Sequence, residues 1–197
     1  MSSRLPLSTV LSYFIEFQRT GVQEHVLQFE NLLTMLQYRK TYEVTLRFIK
    51  QGMKVLDWGC GNGHFSYFLS RQKIDTTGFS FHTVPIILEN EPLFHFAQGD
   101  SHEPATLPFA DSTFDIVFSI GVLEHVYETG GSEERSLQEI RRVLKSGSRF
   151  LCFHFPNRFQ WVEPLGKFLG LTEYFHHRKY THKNIQQLAE RIGFQIE

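Results

Sequence analysis

The strongest constraint on this chain is the passage from Met53 to Gly63. A short apolar run, Met53-Lys54-Val55-Leu56-Asp57-Trp58, ends in Gly59-Cys60-Gly61-Asn62-Gly63 and gives way at once to helix-forming residues. An apolar run of this length bounded by glycines reads as a buried parallel strand. A strand that passes through a glycine loop into a helix marks the place where open α/β sheets bind ligands, because closely spaced glycines let a ligand approach the backbone without Cβ interference. Dinucleotide sites share this arrangement, but their fingerprint is G-x-G-x-x-G, whereas here the third glycine comes two residues after the second and His64 follows it. Asp57 also puts a carboxylate at the strand's end, where it would oppose a pyrophosphate and attract an ammonium. The sign of that charge favours a ligand with an amino-acid portion.

Beyond the loop the pattern alternates. Helix is expected from about His64 to Arg71, strand from Ile74 to Ser80, a short helix near Val84 to Asn90, and strand from Phe94 to Gly99. Strand from Phe114 to Ser119, helix from Glu133 to Leu144, strand from Ser148 to Phe155, helix from Thr181 to Ile192 and the start of a final strand at Phe194 complete the series. Such alternation predicts an α/β fold of the Rossmann-like, doubly wound class, a mostly parallel sheet with helices on both faces. At 197 residues and 41% hydrophobic composition, the chain suits one well-filled core. Two attachments interrupt the alternation. Residues 1–50 carry apolar residues at helical spacing and read as an N-terminal helical extension or lid before the domain at 51–197. Residues 156–180 form an aromatic, histidine-containing insertion of the length typical of lids and binding loops.

Charge and composition narrow the function classes. Twenty Lys plus Arg nearly cancel 21 Asp plus Glu, so no global field draws the chain to nucleic acid or an anionic membrane. No run approaches the length of apolar sequence needed to cross a bilayer. With two cysteines and no apolar leader after Met1, a reducing cytoplasm is the expected compartment.

Val55-Leu56-Asp57-Trp58-Gly59-Cys60-Gly61-Asn62-Gly63 resembles the first motif of the class I S-adenosylmethionine-dependent methyltransferases, V-L-D-x-G-C-G-x-G. The similarity continues in the family's order through Gly99-Asp100, Leu107-Pro108-Phe109, Ser112 to Val117, Val122-Leu123-Glu124-His125-Val126 and Arg142 to Gly147, and is of the small-molecule, methyltransferase type 11 kind. The resemblance implies S-adenosyl-L-methionine as cofactor and S-adenosyl-L-homocysteine as product. It implies that Asp57, Trp58, Gly59, Cys60, Gly61 and Gly63 surround the methionine portion, that Ser80 and Phe81 border the ribose, that Asp100 and Ser101 edge the adenine, and that Ser119, Ile120 and Gly121 lie beside the sulfonium. One position departs from the pattern. The family ends its second strand with an Asp or Glu that takes both ribose hydroxyls, and the matching residue here is Ser80. A hydroxyl lacks the charge-assisted, bidentate bonding of a carboxylate, so the cofactor is expected to bind more weakly by about 1–2 kcal/mol, roughly tenfold.

For a hydroxyl acceptor, His125 beyond the fourth strand is the candidate base; anchoring of the following helix is its bland alternative. Glu124-His125 resembles part of the E-x-x-E-H metal pattern of quinone-type O-methyltransferases, but Gly121 stands where the first acid would be, so no metal is expected. His176, His177 and His182 lack a compact Cys/His ligand set and read as a polar lid. Trp161, Tyr174, His177 and Tyr180, together with His125, are candidate acceptor contacts. The expected activity is methyl transfer to a small molecule at oxygen. A catalytically weak or inactive cofactor-binding scaffold for a protein partner is the alternative, with Ser80 its main argument. The family's sheet ends in a hairpin with an antiparallel last strand, which is expected here to be missing or truncated at Glu197. An open edge there admits either a monomer or a homodimer.

Overall fold

The computed structural model describes residues 6–19, 32–154, 156 and 179–196. Strands β1 (Lys54–Trp58), β2 (Asp75–Ser80), β3 (Phe94–Gln98), β4 (Phe114–Ile120) and β5 (Leu144–Phe153) form one sheet. It is parallel throughout, in the order β3-β2-β1-β4-β5. The helices are α1 (Leu7–Arg19), α2 (Leu32–Thr45), α3 (His64–Arg71), α4 (Glu133–Val143) and α5 (His182–Ile192), with short 3-10 helices at Ile86–Leu88 and Leu123–Thr129. This is the Rossmann-like doubly wound arrangement the alternation predicts.

Strand alternation divides the core between the two faces of the sheet. Val55, Ile116 and Phe118 pack with Val10, Tyr13, Tyr42, Phe65 and Phe68 from α1, α2 and α3. Leu56, Trp58 and Val117 pack with Leu137, Ile140 and Val143 of α4 and Ile192 of α5. The stretch before β1 is thus built into one layer, with Tyr42 stacked on Phe68 at 4.2 Å between ring centroids. Asp57, in step with Val55, faces the same layer.

The crossing from β3 to β4 has few backbone partners of its own and is held by Arg142 at the end of α4. Its guanidinium donates to the carbonyls of Leu107 and Phe109 at 3.0 and 2.7 Å. It also pairs with Asp111 at 2.8 Å and with Glu139 at 2.7 Å. Arginine's fork of donors suits this multiple engagement. Glu139 returns a bond by accepting from the Leu107 N–H at 3.0 Å.

Three segments differ from the sequence expectation. The helix expected near Val84 to Asn90 is a single 3-10 turn, since Pro85 precedes it and Pro92 biases Glu91 away from helix. Leu123–Thr129 forms an unanticipated 3-10 helix that ends where Gly130 turns to φ 77°. No strand begins at Phe194. Gly193 adopts φ 86° as the cap of α5, the Phe194 N–H donates to the Ala189 carbonyl at 2.9 Å, and the Phe194 ring packs on Phe150. Capping takes the residues that strand pairing would have needed.

At the end of β3, Gly99 is fixed by crowding. A Cβ there would lie 2.6 Å from the Phe79 ring and 2.7 Å from the Phe81 ring, which stand edge to face. Gly99→Ala is expected to destabilise the chain by about 1–3 kcal/mol, as overpacking of a dense core does, and urea unfolding of the two proteins measures the loss.

Candidate functional site

Because β1 lies between β2 and β4, the sheet changes winding direction there, and the carboxyl ends of β1 and β4 open on one crevice. The glycine loop closes over the end of β2: the N–H groups of Gly59 and Cys60 donate to the Phe79 carbonyl at 2.9 and 3.0 Å, and the Gly63 N–H to the Cys60 carbonyl at 2.8 Å. Gly59, Gly61 and Gly63 have φ of 78°, 50° and 80°, a region other residues seldom adopt. They are not equivalent. A Cβ on Gly59 would strike Val122, and one on Gly63 would strike Leu88 and Pro85, so these two allow close packing. At Gly61 the nearest atom would be the Gly59 carbonyl oxygen at 3.9 Å, which leaves its backbone bare. Gly121, at the end of β4 with φ 66°, is similarly open, its Cβ position 3.7 Å from Glu124 Oε1 and 4.0 Å from His154 Cβ. Its N–H donates to the Phe153 carbonyl at 3.1 Å and ties β4 to β5.

Asp57 is buried beneath α3, and its Oδ2 accepts from Ser66 Oγ at 2.6 Å. Loss of solvation pushes its carboxyl up to about 7, against the opposing effect of the Ser66 bonds. The carboxyl therefore holds its proton far more tightly than a solvated one, which qualifies the charge argument drawn from the sequence. Trp58 is buried in the layer of α4, and Cys60 is buried against the end of β2, where a Cβ on Gly78 would come within 3.0 Å of its sulfur. Ser80 is buried, and its Oγ accepts the His82 N–H at 3.1 Å. Phe81 is half-buried against Phe79. Asp100 and Ser101 are exposed, and Asp100 Oδ1 accepts the His102 N–H at 2.8 Å in an Asx turn. Ser119 is buried and Ile120 half-buried at the end of β4.

His125 follows Gly121 in the 3-10 helix, and its Nδ1 lies 3.0 Å from Glu128 Oε2. Tyr180 turns toward α4, its hydroxyl donating to Glu133 Oε1 at 2.9 Å while its N–H donates to the Pro156 carbonyl. Trp161, Tyr174, His176 and His177 lie outside the described residues. Among those described, no group of three or more His, Cys, Asp or Glu is placed to hold a metal. Nor is any described helix long and apolar enough to cross a membrane.

Sequence reasoning missed a polar and aromatic group that α2 brings to this end of the sheet. The Tyr42 hydroxyl lies 2.9 Å from Nδ1 of His64, the residue after the last loop glycine. Burial drives the His64 imidazole down to about 3, with His154 adding to the effect. Tyr38 stands edge-on to His64 and stacks on His154, whose Nε2 lies 3.0 Å from Thr41 Oγ1. The signal was present: Tyr38, Thr41 and Tyr42 share one helix face at i, i+3 and i+4, where a purely covering helix would carry aliphatic residues.

Residues 56–152 match the family model described as a methyltransferase domain. An uncharacterized methyltransferase of Synechocystis sp. is 27% identical over 154 residues, spanning 75% of this chain and 69% of the relative. A 2-phytyl-1,4-naphtoquinone methyltransferase of Nostoc punctiforme is 28% identical over 199 aligned positions, spanning 86% of this chain and 84% of its own. In fold, a SAM-dependent methyltransferase from Aquifex aeolicus superposes with a TM-score of 0.62 at 17% identity, covering 79% of this chain and 80% of the other. The crevice, the glycine loop and these likenesses define a methyl-transferring enzyme built on a doubly wound sheet. The chain belongs to the class I S-adenosylmethionine-dependent methyltransferases, and S-adenosylmethionine is its methyl donor. The site fits that cofactor in one respect the structure supplies itself: at Gly61, in the loop after β1, and at Gly121, just past the end of the adjacent β4, bare backbone faces space that a side chain would have filled.

Two of the buried titratable groups, Asp57 and His64, give stability opposite pH slopes. Asp57 keeps a proton up to about 7 when folded and releases it near 3.8 when unfolded, so its contribution falls as pH rises through that window. His64 stays neutral down to about 3 when folded but takes a proton near 6.5 when unfolded, so its contribution falls as pH drops below that value. Asp57→Asn is expected to stabilise the chain relative to the parent more at about pH 7.5 than at about pH 4.5, a difference read from urea midpoints at the two values.

Proposed function

We propose that this enzyme methylates a small-molecule acceptor at an oxygen atom, with the methionine part of the cofactor held by Asp57 and the loop Gly59 to Gly63. In this reading Ser80 and Phe81 border the ribose, Asp100 and Ser101 the adenine, and Ser119, Ile120 and Gly121 the sulfonium. The bound cofactor supplies an electrophilic methyl group. Alignment of the acceptor with that methyl is the protein's main contribution, since holding reactants in line removes much of the entropic barrier.

The observation that carries the choice of oxygen is the pairing of His125 Nδ1 with Glu128 Oε2 at 3.0 Å, just beyond Gly121. A carboxylate on one ring nitrogen fixes the orientation and tautomer of an imidazole and leaves its other nitrogen to meet the acceptor. His125 then takes the acceptor hydroxyl's proton at its other nitrogen as the oxygen is methylated. Favouring a small molecule is the relative named for a phytylated naphthoquinone, which this chain matches over most of both lengths.

The test supplies methyl-labelled S-adenosylmethionine and a fractionated extract, and identifies labelled products by mass spectrometry. Label is expected in the small-molecule fraction, on oxygen. His125→Ala is expected to lower kcat about a hundredfold or more, in line with loss of a general base, while S-adenosylhomocysteine affinity stays unchanged. Retained cofactor binding with no transfer by the parent protein would overturn the reading in favour of a scaffold. Label on carbon or nitrogen would overturn the oxygen assignment.

At Ser80 the hydroxyl is already committed to the His82 N–H. Ser80→Asp is expected to tighten S-adenosylmethionine about tenfold, the difference between a neutral and a charge-assisted pairing, as measured by calorimetry.

A further inference from the structure

His154 stands at the end of β5 in an arrangement that ordinary strand termination does not require. Its φ is 62°, a conformation that L side chains rarely adopt, and one of only three such non-glycine positions among the described residues. The ring does not turn to solvent. It stacks on Tyr38 with centroids 4.6 Å apart and planes at 24°. Its Nε2 lies 3.0 Å from Thr41 Oγ1, and its Nδ1 lies 3.4 Å from the Gln37 side-chain nitrogen. With the Gln37 amide donating to Nδ1, the ring proton sits on Nε2 and is donated to Thr41. Both ring nitrogens and one ring face are thus engaged by a single turn of α2.

That turn reaches the crevice from above. Tyr38 is the shared element, touching His154 with its face and His64 edge-on at 4.8 Å, while Tyr42 holds His64 from the next position on the same helix face. His154 Cβ and Glu124 Oε1 bound the bare side of Gly121. The residue that anchors α2 on the β5 side is therefore also a wall of the space next to Gly121. Burial lowers the pKa of His154, which keeps the imidazole in the neutral form that can accept from Gln37 and donate to Thr41 together.

We propose that His154 is a positioning residue for the methyl acceptor: by clasping Gln37, Tyr38 and Thr41 it holds α2 across the ends of β4 and β5 as the wall against which the acceptor is seated. The proposal rests on the reading that the acceptor is received beside Gly121. His154 itself takes no part in the chemistry, because its ring nitrogens are committed to α2.

Two measurements on His154→Ala, Thr41→Val and the double variant test this. The first is amide hydrogen exchange with S-adenosylhomocysteine bound. Each single variant is expected to speed exchange in residues 36–45 at least tenfold, with β1 and α3 unchanged and cofactor affinity within twofold. The double variant is expected to go no further than His154→Ala, since Thr41→Val removes a bond that the loss of His154 has already broken. His154→Gln, whose amide can still donate to Thr41, is expected to restore slow exchange. The second measurement titrates the small-molecule fraction of an extract with labelled cofactor. His154→Ala is expected to raise the half-saturating amount at least tenfold while the plateau rate stays within threefold. Unchanged exchange in residues 36–45 overturns the proposal whether or not label is transferred. An unchanged half-saturation with normal label transfer also overturns it. Failure of the parent protein to transfer label overturns the small-molecule reading instead, and leaves the exchange measurement to decide the clasp.

Discussion

The way the chain leaves β1 governs the carboxyl edge of the sheet. Strand alternation sends Asp57 beneath α3, and the Ser66 hydroxyl meets it there, so the helix that follows the glycine loop is fixed to the strand that precedes it. With both ends of the loop held, Gly59 and Gly63 are pressed into contacts that a side chain would break, against Val122 on one side and Pro85 and Leu88 on the other. Gly61 lies between these two anchors and faces open space. The cradle is thus a consequence of packing on either side of it, which is why a flexible-looking sequence gives a defined surface.

A second layer of control comes from α2. Aromatic and hydroxyl side chains on one of its faces reach both the start of α3, at His64, and the end of β5, at His154. Within the sheet these two points are not neighbours, because β4 stands between β1, which leads to His64, and β5, which leads to His154. The helix therefore links the side of the crevice proposed for the cofactor to the side proposed for the acceptor, and it does so through one buried and one half-buried imidazole, both favoured in the neutral form by loss of water.

Most of the architecture was legible because local and global signals agree. The run Lys54 to Trp58, the glycine loop and the helix from His64 each announce themselves, and regular alternation leaves little freedom in topology. Where the reading slipped, the cause was local competition. Phe194 has strand-forming character, but Gly193 caps α5 and draws it into the cap. Pro85 and Pro92 reduce a helical pattern to one turn. The site was less legible than the fold. Asp57 was found from its place in the motif, but the burial that shifts its carboxyl comes from packing beneath α3, and the hydroxyl that partly offsets the shift lies nine residues away. His154 and Thr41 are 113 residues apart, and no pattern within either segment predicts their meeting.

The Arg142 cluster has a consequence for how the molecule comes apart. The connection through Leu107, Phe109 and Asp111 borrows its hydrogen bonds from one guanidinium at the end of α4, where a sheet would have drawn them from a neighbouring strand. Its order is therefore not its own. When the last turn of α4 frays, the carbonyls of Leu107 and Phe109 lose their shared donor together, and Leu107 loses the Glu139 acceptor in the same event. This connection and that helix end form one cooperative opening unit, made by a side chain between segments more than thirty residues apart along the chain.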